Sequence, residues 1–169
     1  MRNFLIDTDT ASDDAVAIIM ALAEPSVRVL GLTTVAGNVG LEQATQNALL
    51  TAEICNSDVP VFAGADKPLA RAHDHAHWFH GKDGLGDRGF PAPTRRPERE
   101  DAVDAIERLS HEKPGLTLVT LGPLTNVALA LKRDRKLAER IGRCVVMGGA
   151  PCCEGNVTPA AEYNIWVDP

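Results

Sequence analysis

The chain has 169 residues, with 17 lysine and arginine and 23 aspartate and glutamate side chains, for a formal net charge of −6 at pH 7. This acidic balance argues against a nucleic-acid-binding surface, and no apolar stretch is long enough to span a bilayer. The four cysteines lack zinc-ligand spacing and the N-terminus lacks a signal-peptide pattern, so we expect a cytoplasmic protein with reduced thiols.

Strand-like and helix-like segments alternate along the chain, whose length is that of a single domain over residues 1–169. Predicted strands cover residues 2–7, 27–35, 59–62, 116–121 and 143–147. Predicted helices cover residues 13–23 and 41–55, the stretch containing residues 102–109, and the stretch that Gly122-Pro123 opens. The first helix is expected to bury Ala15, Ile18, Ile19 and Leu22, and the last Leu124, Val127, Ala128 and Leu131. The alternation predicts an α/β fold with a mostly parallel sheet flanked by helices.

Acidic and amide side chains follow the predicted strands, at the edge where parallel sheets bind ligands. The first strand leads into four aspartates: Asp7, Asp9, Asp13 and Asp14. Crowded carboxylates must take up protons or share a cation, and an all-oxygen acidic set suits calcium or magnesium. The alternative is that Ser12 or Asp13 caps the helix while the other acids lie in solvent. Four acids in one turn favour the metal site.

Residues 64–99 form an unusually long stretch without predicted elements, so we expect either a lid or disorder. This stretch contains His73, His75, His77 and His80. A histidine-rich tract can bind zinc. Because the acidic cluster lies elsewhere, we favour a mobile lid that carries one functional histidine.

Five segments, in this order, resemble the inosine-uridine-preferring nucleoside hydrolases. They are Asp7-Thr8-Asp9-Thr10-Ala11-Ser12-Asp13-Asp14-Ala15, Thr34-Val35-Ala36-Gly37-Asn38, His80-Gly81-Lys82-Asp83-Gly84, Gly122-Pro123-Leu124-Thr125-Asn126, and Met147-Gly148-Gly149 running to Glu162-Tyr163-Asn164. Each motif alone is modest, but five in order are specific, and together they cover essentially the whole chain.

The resemblance implies calcium-dependent hydrolysis of the N-glycosidic bond of ribonucleosides to ribose and a free base, a reaction of purine and pyrimidine salvage. By resemblance, Asp9, Asp14 and the backbone carbonyl of Leu121 would bind Ca²⁺, and Asp13 would be the general base that also contacts the substrate. The remaining substrate-binding residues would be Asn38, His80, Met147, Asn156, Glu162 and Asn164. The implied partner is a small-molecule nucleoside, with no nucleic acid or membrane, and the family is typically a dimer or tetramer.

Two departures from the family pattern matter. Thr10-Ala11 stands where the family usually has Pro-Gly, which changes the turn but keeps every carboxylate. Family members are also nearly twice as long, and their carboxyl-terminal half supplies one more calcium-binding aspartate and a histidine near the leaving base. The resemblance therefore describes the amino-terminal portion of such an enzyme and leaves its base preference open.

Other interpretations remain for the chain and for single residues. A truncated relative could keep the fold and lose activity. An apolar strand followed by Asp7-Thr8-Asp9 also resembles haloacid-dehalogenase-like phosphatases, although Ala11 and the Asp13-Asp14 pair do not fit that pattern. Asn38 could be a turn residue, Met147 could belong to the core, and Glu162 and Asn164 could satisfy buried backbone. We interpret Asn126 as structural.

Overall fold

A parallel sheet of five strands forms the centre of the computed structural model, which describes residues 1–169. The strands are β1 (Arg2–Thr8), β2 (Val27–Thr34), β3 (Val61–Ala63), β4 (Leu116–Thr120) and β5 (Ile141–Val146). Their spatial order is β3-β2-β1-β4-β5, and every adjacent pair is parallel. The chain winds outward from β1 to β3 and then returns to β4 on the other side of β1. The β1–β4 boundary is therefore the switch point at which such sheets bind ligands.

Helices cover the sheet on both faces and confirm the predicted α/β fold. They are α1 (Ser12–Ala23), α2 (Leu41–Ile54), α3 (His77–His80), α4 (Ala102–Glu112), α5 (Thr125–Arg133), α6 (Leu137–Arg140) and α7 (Tyr163–Val167). Adjacent residues of a strand point to opposite faces. Accordingly Leu5 packs with Ile106 in the cluster under α4 and α5, whereas Ile6 packs with Ile18 in the cluster under α1 and α2. This two-sided burial explains why β1 is a continuous apolar run.

Two predicted helix faces differ from the structure. On α1, Ile18 is fully buried but Ile19 is exposed, so the buried stripe is narrower than the apolar pattern suggests. The helix predicted at Gly122-Pro123 begins at Thr125, and Leu124 occupies its N-cap position. Val127 and Ala130 are buried, whereas Leu124, Ala128 and Leu131 are only partly buried.

Residues 64–99 contain no strand and one short helix, α3, yet their path is fixed by hydrogen bonds. The side chain of Asn126 accepts from the backbone N–H of Ala65 at 2.9 Å. The carboxylate of Asp168 accepts from the N–H groups of Leu69 and Ala70, each at 2.9 Å. These contacts tie the start of the segment to α5 and to the end of α7, which supports an ordered covering segment over a disordered one.

The sheet is unevenly covered at its β5 edge. The apolar cluster under α1 and α2 draws on β1, β2 and β3 and includes Val119 of β4 at its margin, but it contains no residue of β5. Val145, Val146 and Met147 are consequently exposed. No helix combines the length and apolar character needed to cross a membrane.

Candidate active site at the carboxyl ends of the strands

Two of the four aspartates, Asp9 and Asp14, form a buried pair at the end of β1. Both side chains are at most 2 % exposed. The hydroxyl of Thr8 donates to Asp14 Oδ2 at 2.8 Å, and the backbone N–H of Asn38 donates to Asp9 Oδ2 at 2.6 Å. Asp9 Oδ1 is buried and has no hydrogen-bond partner. A buried carboxylate oxygen without a hydrogen-bond partner is a site at which a proton or a cation can bind.

The carboxylates of Asp9 and Asp14 are buried close to each other, and both burial and mutual repulsion disfavour their charged forms. Burial raises the pKa of Asp9 above its ordinary value, and the nearby Asp13 charge adds to the rise. Burial raises the pKa of Asp14 well above its usual range, and the adjacent Asp9 carboxylate raises it further. Two such groups cannot both be ionised cheaply unless a cation compensates them.

The other two aspartates lie apart from this pair. Asp7 Oδ1 accepts from the Thr33 hydroxyl at 2.6 Å and from Asn126 Nδ2 at 2.8 Å, and burial raises its pKa to about 6. The side chain of Asp13 is 65 % exposed. No group of three or more histidine, cysteine or acidic side chains converges on a metal-binding point. The capping alternative is also not observed, because Ala11 occupies the N-cap position of α1 without a side-chain hydrogen bond.

Two glycines enclose the carboxylate of Asp9. A Cβ atom at Gly37 would overlap this carboxylate, and one at Gly122 would lie 2.8 Å from Asp9 Oδ1. Gly37 follows β2 and Gly122 follows β4, so the loops after both strands neighbouring β1 close on the same side chain. Only residues without a side chain allow this approach.

The Leu121 carbonyl, Met147 and Asn164 lie together beside this pair of loops. Asn164 Nδ2 donates to the Leu121 carbonyl at 2.8 Å and to the Met147 carbonyl at 3.1 Å. Asn164 Oδ1 is buried without a partner. The end of β4, the end of β5 and α7 thus place three predicted site residues within contact of one another.

Glu162 and Asn156 support the backbone around α7. The Glu162 carboxylate accepts from the N–H groups of Asn164 at 2.9 Å and Gly149 at 2.7 Å. Asn156 Oδ1 accepts from the Tyr163 N–H at 2.8 Å. The structural alternative considered for Glu162 is therefore realised, and the same type of contact is found for Asn156. Such contacts fix the position of α7 without excluding a ligand from the remaining lone pairs.

A cavity of about 420 Å³ opens beside Asp13. Its lining includes Asp13, Asn38, Trp78, Phe79, His80, Asn156 and Tyr163. Its size is that of a small-molecule pocket. Four of the predicted substrate residues, Asp13, Asn38, His80 and Asn156, therefore share one cavity, whereas Met147, Glu162 and Asn164 lie outside its lining.

The histidine-rich tract divides into two parts. His80 is buried, and its Nδ1 lies 3.1 Å from the Ser12 hydroxyl. The rings of His73, His75 and His77 pack against one another, with centroid separations of 4.1 and 4.5 Å. Burial lowers the pKa of His75, and its two histidine neighbours lower it further. His80 is thus separated from the other three histidines and lies beside the start of α1.

A model of the inosine-uridine preferring nucleoside hydrolases matches residues 4–169. The chain belongs to this family. Uridine nucleosidase 1 of Arabidopsis thaliana is 47 % identical over 171 residues, covering 99 % of this chain and 51 % of the plant protein. The pyrimidine-specific ribonucleoside hydrolase RihA of Shewanella sp. (strain MR-7) is 44 % identical over 170 residues, covering 99 % of this chain and 53 % of the bacterial protein.

Solved structures of nucleoside hydrolases share the fold. The plant nucleoside hydrolase PpNRh1 superposes with a TM-score of 0.95 at 41 % identity, covering 99 % of this chain and 54 % of that one. A purine-preferring ribonucleoside hydrolase from Gardnerella vaginalis gives a TM-score of 0.95 at 35 % identity, covering 99 % and 55 %. The chain thus spans about half the length of the nucleoside hydrolases that it matches.

Three residues of this nucleoside hydrolase site were not predicted from the sequence. The Tyr163 hydroxyl donates to the carbonyls of Gly37 at 3.0 Å and Asp74 at 2.7 Å, and burial raises its pKa. Asn47 Nδ2 donates to the carbonyl of Thr10 at 2.9 Å and to that of Asp83 at 2.8 Å. Gly122 encloses Asp9. Asn47 lies among the buried residues of α2, and a buried polar side chain needs specific partners, but its position in the sequence does not identify them.

Proposed function

We propose that this chain supplies the cation-binding and water-activating part of an enzyme that hydrolyses the N-glycosidic bond of ribonucleosides to ribose and free base. The observation that carries the proposal is the buried Asp9–Asp14 pair, with exposed Asp13 between the two in sequence and a cavity beside it. Family membership supports the reaction type. The proposed partner is a small-molecule nucleoside.

The residues present fit a hard divalent cation, which we propose to be calcium. The donors would be the Asp9 and Asp14 carboxylates and the Leu121 carbonyl, and the unpartnered Asp9 Oδ1 is the atom most in need of a positive charge. Calcium takes six to eight oxygen ligands, so three protein residues leave room for water and for a substrate diol. When bound, the ion would lower the pKa of a bound water and offset the repulsion between the two acids.

Asp13 is the proposed general base. Its carboxylate is exposed and accepts no hydrogen bond from the protein, and His80 Nδ1 lies 3.9 Å from its Oδ1. Adjacent residues of a helix point in different directions, so Asp13 faces the cavity while Asp14 faces the interior. A free carboxylate beside the cavity can take a proton from an attacking water as the ribosyl carbon develops oxocarbenium character.

The ribose hydroxyls are proposed to bind the amide and carboxylate groups of Asn38, Asn156, Glu162 and Asn164, with Met147 as an apolar neighbour and His80 near the nucleoside. Asn164 Oδ1 supports this role because it is buried without a partner. Multiple hydrogen bonds to the sugar would contribute to the rate mainly by positioning it against the water.

Product analysis tests the proposal. Purified protein is incubated with inosine and with uridine, with Ca²⁺ or with a chelator, and ribose release is measured beside hydrolysis of a phosphate ester. We expect ribose release that requires Ca²⁺, and a fall of about 10²- to 10⁴-fold in Asp13→Ala with unchanged Ca²⁺ binding. Calcium binding without ribose release would favour the inactive-relative alternative. Cleavage of the phosphate ester alone would favour the phosphatase, in which a nucleophilic Asp7 would have to leave its buried contacts with Thr33 and Asn126.

A further inference from the structure

The imidazole of His80 has two neighbours on the first turn of α1. Its Nδ1 lies 3.1 Å from Ser12 Oγ and 3.9 Å from Asp13 Oδ1. Only the Ser12 contact is within hydrogen-bond range. His80 Nε2 makes no hydrogen bond in the structure, and the residue lines the cavity beside Asp13. One ring nitrogen is thus held by the protein, and the other is available to a ligand.

The backbone of this region is fixed independently of the ring. The His80 N–H donates to the Ala76 carbonyl at 3.1 Å, and the His80 carbonyl accepts from the Gly86 N–H at 2.8 Å. Asn47 joins the Asp83 carbonyl to the Thr10 carbonyl. These contacts hold the main chain against the turn that follows β1. The His80 ring itself contacts the Phe79 ring edge-to-face, with centroids 4.7 Å apart, and the Ser12 hydroxyl is the group within hydrogen-bond distance of its Nδ1.

We propose that Ser12 is a positioning residue that holds His80 Nδ1, directs Nε2 to the nucleoside cavity and keeps the imidazole from bonding the Asp13 carboxylate. The inference rests on the proposed function, because it assigns Asp13 the task of accepting a proton from water. A shift of about 1 Å would bring Nδ1 into hydrogen-bond range of Asp13. A neutral imidazole has one donor nitrogen and one acceptor nitrogen, so commitment of Nδ1 to Ser12 leaves only Nε2 for a ligand.

Removal of the hydroxyl has a defined consequence. In Ser12→Val the Asp13 carboxylate, whose Oδ1 lies 3.9 Å from Nδ1, would become the hydrogen-bond partner of that nitrogen in the tautomer that places the hydrogen on Nδ1. This contact would occupy a lone pair of the base and turn the ring away from the cavity. Ser12→Thr keeps the hydroxyl on a side chain of the same shape as valine, so the two variants differ only in a hydroxyl in place of a methyl group.

The first measurement uses the whole chain without substrate. Long-range ¹H–¹⁵N correlation spectra report the protonation and bonding of each imidazole nitrogen in the five histidines, with His80 assigned by His80→Gln. We expect Ser12→Val to change the chemical shift of His80 Nδ1, because its hydrogen-bond partner changes from a hydroxyl to a carboxylate, and Ser12→Thr to keep the wild-type pattern. Unchanged His80 resonances in Ser12→Val, or equal changes in both variants, would overturn the inference.

The second measurement is turnover at fixed pH. We expect Ser12→Val to lower kcat by about two- to tenfold, the effect of one hydrogen bond, with Ca²⁺ affinity unchanged and Ser12→Thr close to wild type. A purely structural role for Ser12 would lower stability and leave kcat per folded molecule unchanged, which would also overturn the inference. Because the spectra need no substrate, a failure of nucleoside hydrolysis itself would be recognised separately from a failure of the Ser12–His80 contact.

Discussion

Asn126 on α5 donates to the carboxylate of Asp7 on β1 across 2.8 Å, although the two residues are 119 positions apart. The same Nδ2 donates to the Thr34 carbonyl at 3.0 Å, and Asn126 Oδ1 accepts from Ala65. One fully buried amide therefore connects β1, the end of β2, α5 and the start of the segment that covers the site.

Replacement of Asn126 should be costly for folding. Asn126→Ala would leave the buried Asp7 carboxylate, the Thr34 carbonyl and the Ala65 N–H without this partner, and we expect a loss of about 2–3 kcal/mol in the free energy of unfolding. Urea unfolding measures the change. The control is Lys132→Ala on the exposed side of the same helix, for which we expect less than about 0.5 kcal/mol. Equal effects of the two substitutions would argue against the buried network.

The Asp9–Asp14 pair predicts opposite effects with and without calcium. In calcium-free buffer at pH 8, Asp14→Asn should raise the melting temperature, because an amide removes one buried charge and can donate to Asp9. With millimolar Ca²⁺ the wild type should have the higher melting temperature, because Ca²⁺ binding stabilises the wild type more than the variant. Differential scanning calorimetry under both conditions tests this, with the exposed Asp66→Asn as control. A variant stabilised by Ca²⁺ as strongly as wild type would contradict the assignment of Asp14 as a ligand.

Gly37 and Gly40 provide a matched pair in one loop. A Cβ at Gly37 would overlap the Asp9 carboxylate, whereas the nearest atom to a Cβ at Gly40 is 3.9 Å away, in His75. We expect Gly37→Ala to abolish Ca²⁺ binding, and Gly40→Ala, whose φ of −65° suits alanine, to bind normally. Isothermal titration with Ca²⁺ measures both. Normal binding by Gly37→Ala would show that the Asp9 carboxylate is not held between the two loops.

The stack of His73, His75 and His77 should titrate abnormally. Burial lowers the pKa of His75 below its ordinary 6.5, the charges of His73 and His77 lower it further, and Asp74 acts in the opposite direction. Because the folded pKa is lowered, the unfolded chain binds the proton better, and stability should fall as pH decreases from about 6.5. An NMR titration should show a pKa of His75 below 6.5. In His73→Gln/His77→Gln, its pKa should move up toward 6.5, and a fixed value would exclude coupling within the stack.

The sequence pattern predicted the parallel sheet, and the parallel sheet in turn predicted where some of the candidate site residues lie. Asp9 after β1 and Leu121 after β4 were expected at one edge of the sheet, and they lie there, because the carboxyl ends of parallel strands meet. Asn126 was interpreted as structural, and its hydrogen bonds agree with this. The calcium ligation, the oligomeric state and the cytoplasmic location stay predictions.

The division of the four aspartates could not be predicted from their spacing. Asp7 is taken up by Thr33 and Asn126, which are far from it in the chain, and Asp13 is directed outward by the start of α1 at Ser12. Both outcomes depend on long-range packing and on one turn conformation, in which Thr10 has a φ of 20°. A local pattern of acids contains neither piece of information.

The exposure of Asp13 separates the chemistry of this protein from its folding. Its side chain contributes nothing to the core and satisfies no backbone group, so cellular quality control would not detect its loss. A lineage released from selection for turnover could exchange this residue freely and still inherit a well-folded protein that keeps the buried Asp9–Asp14 pair.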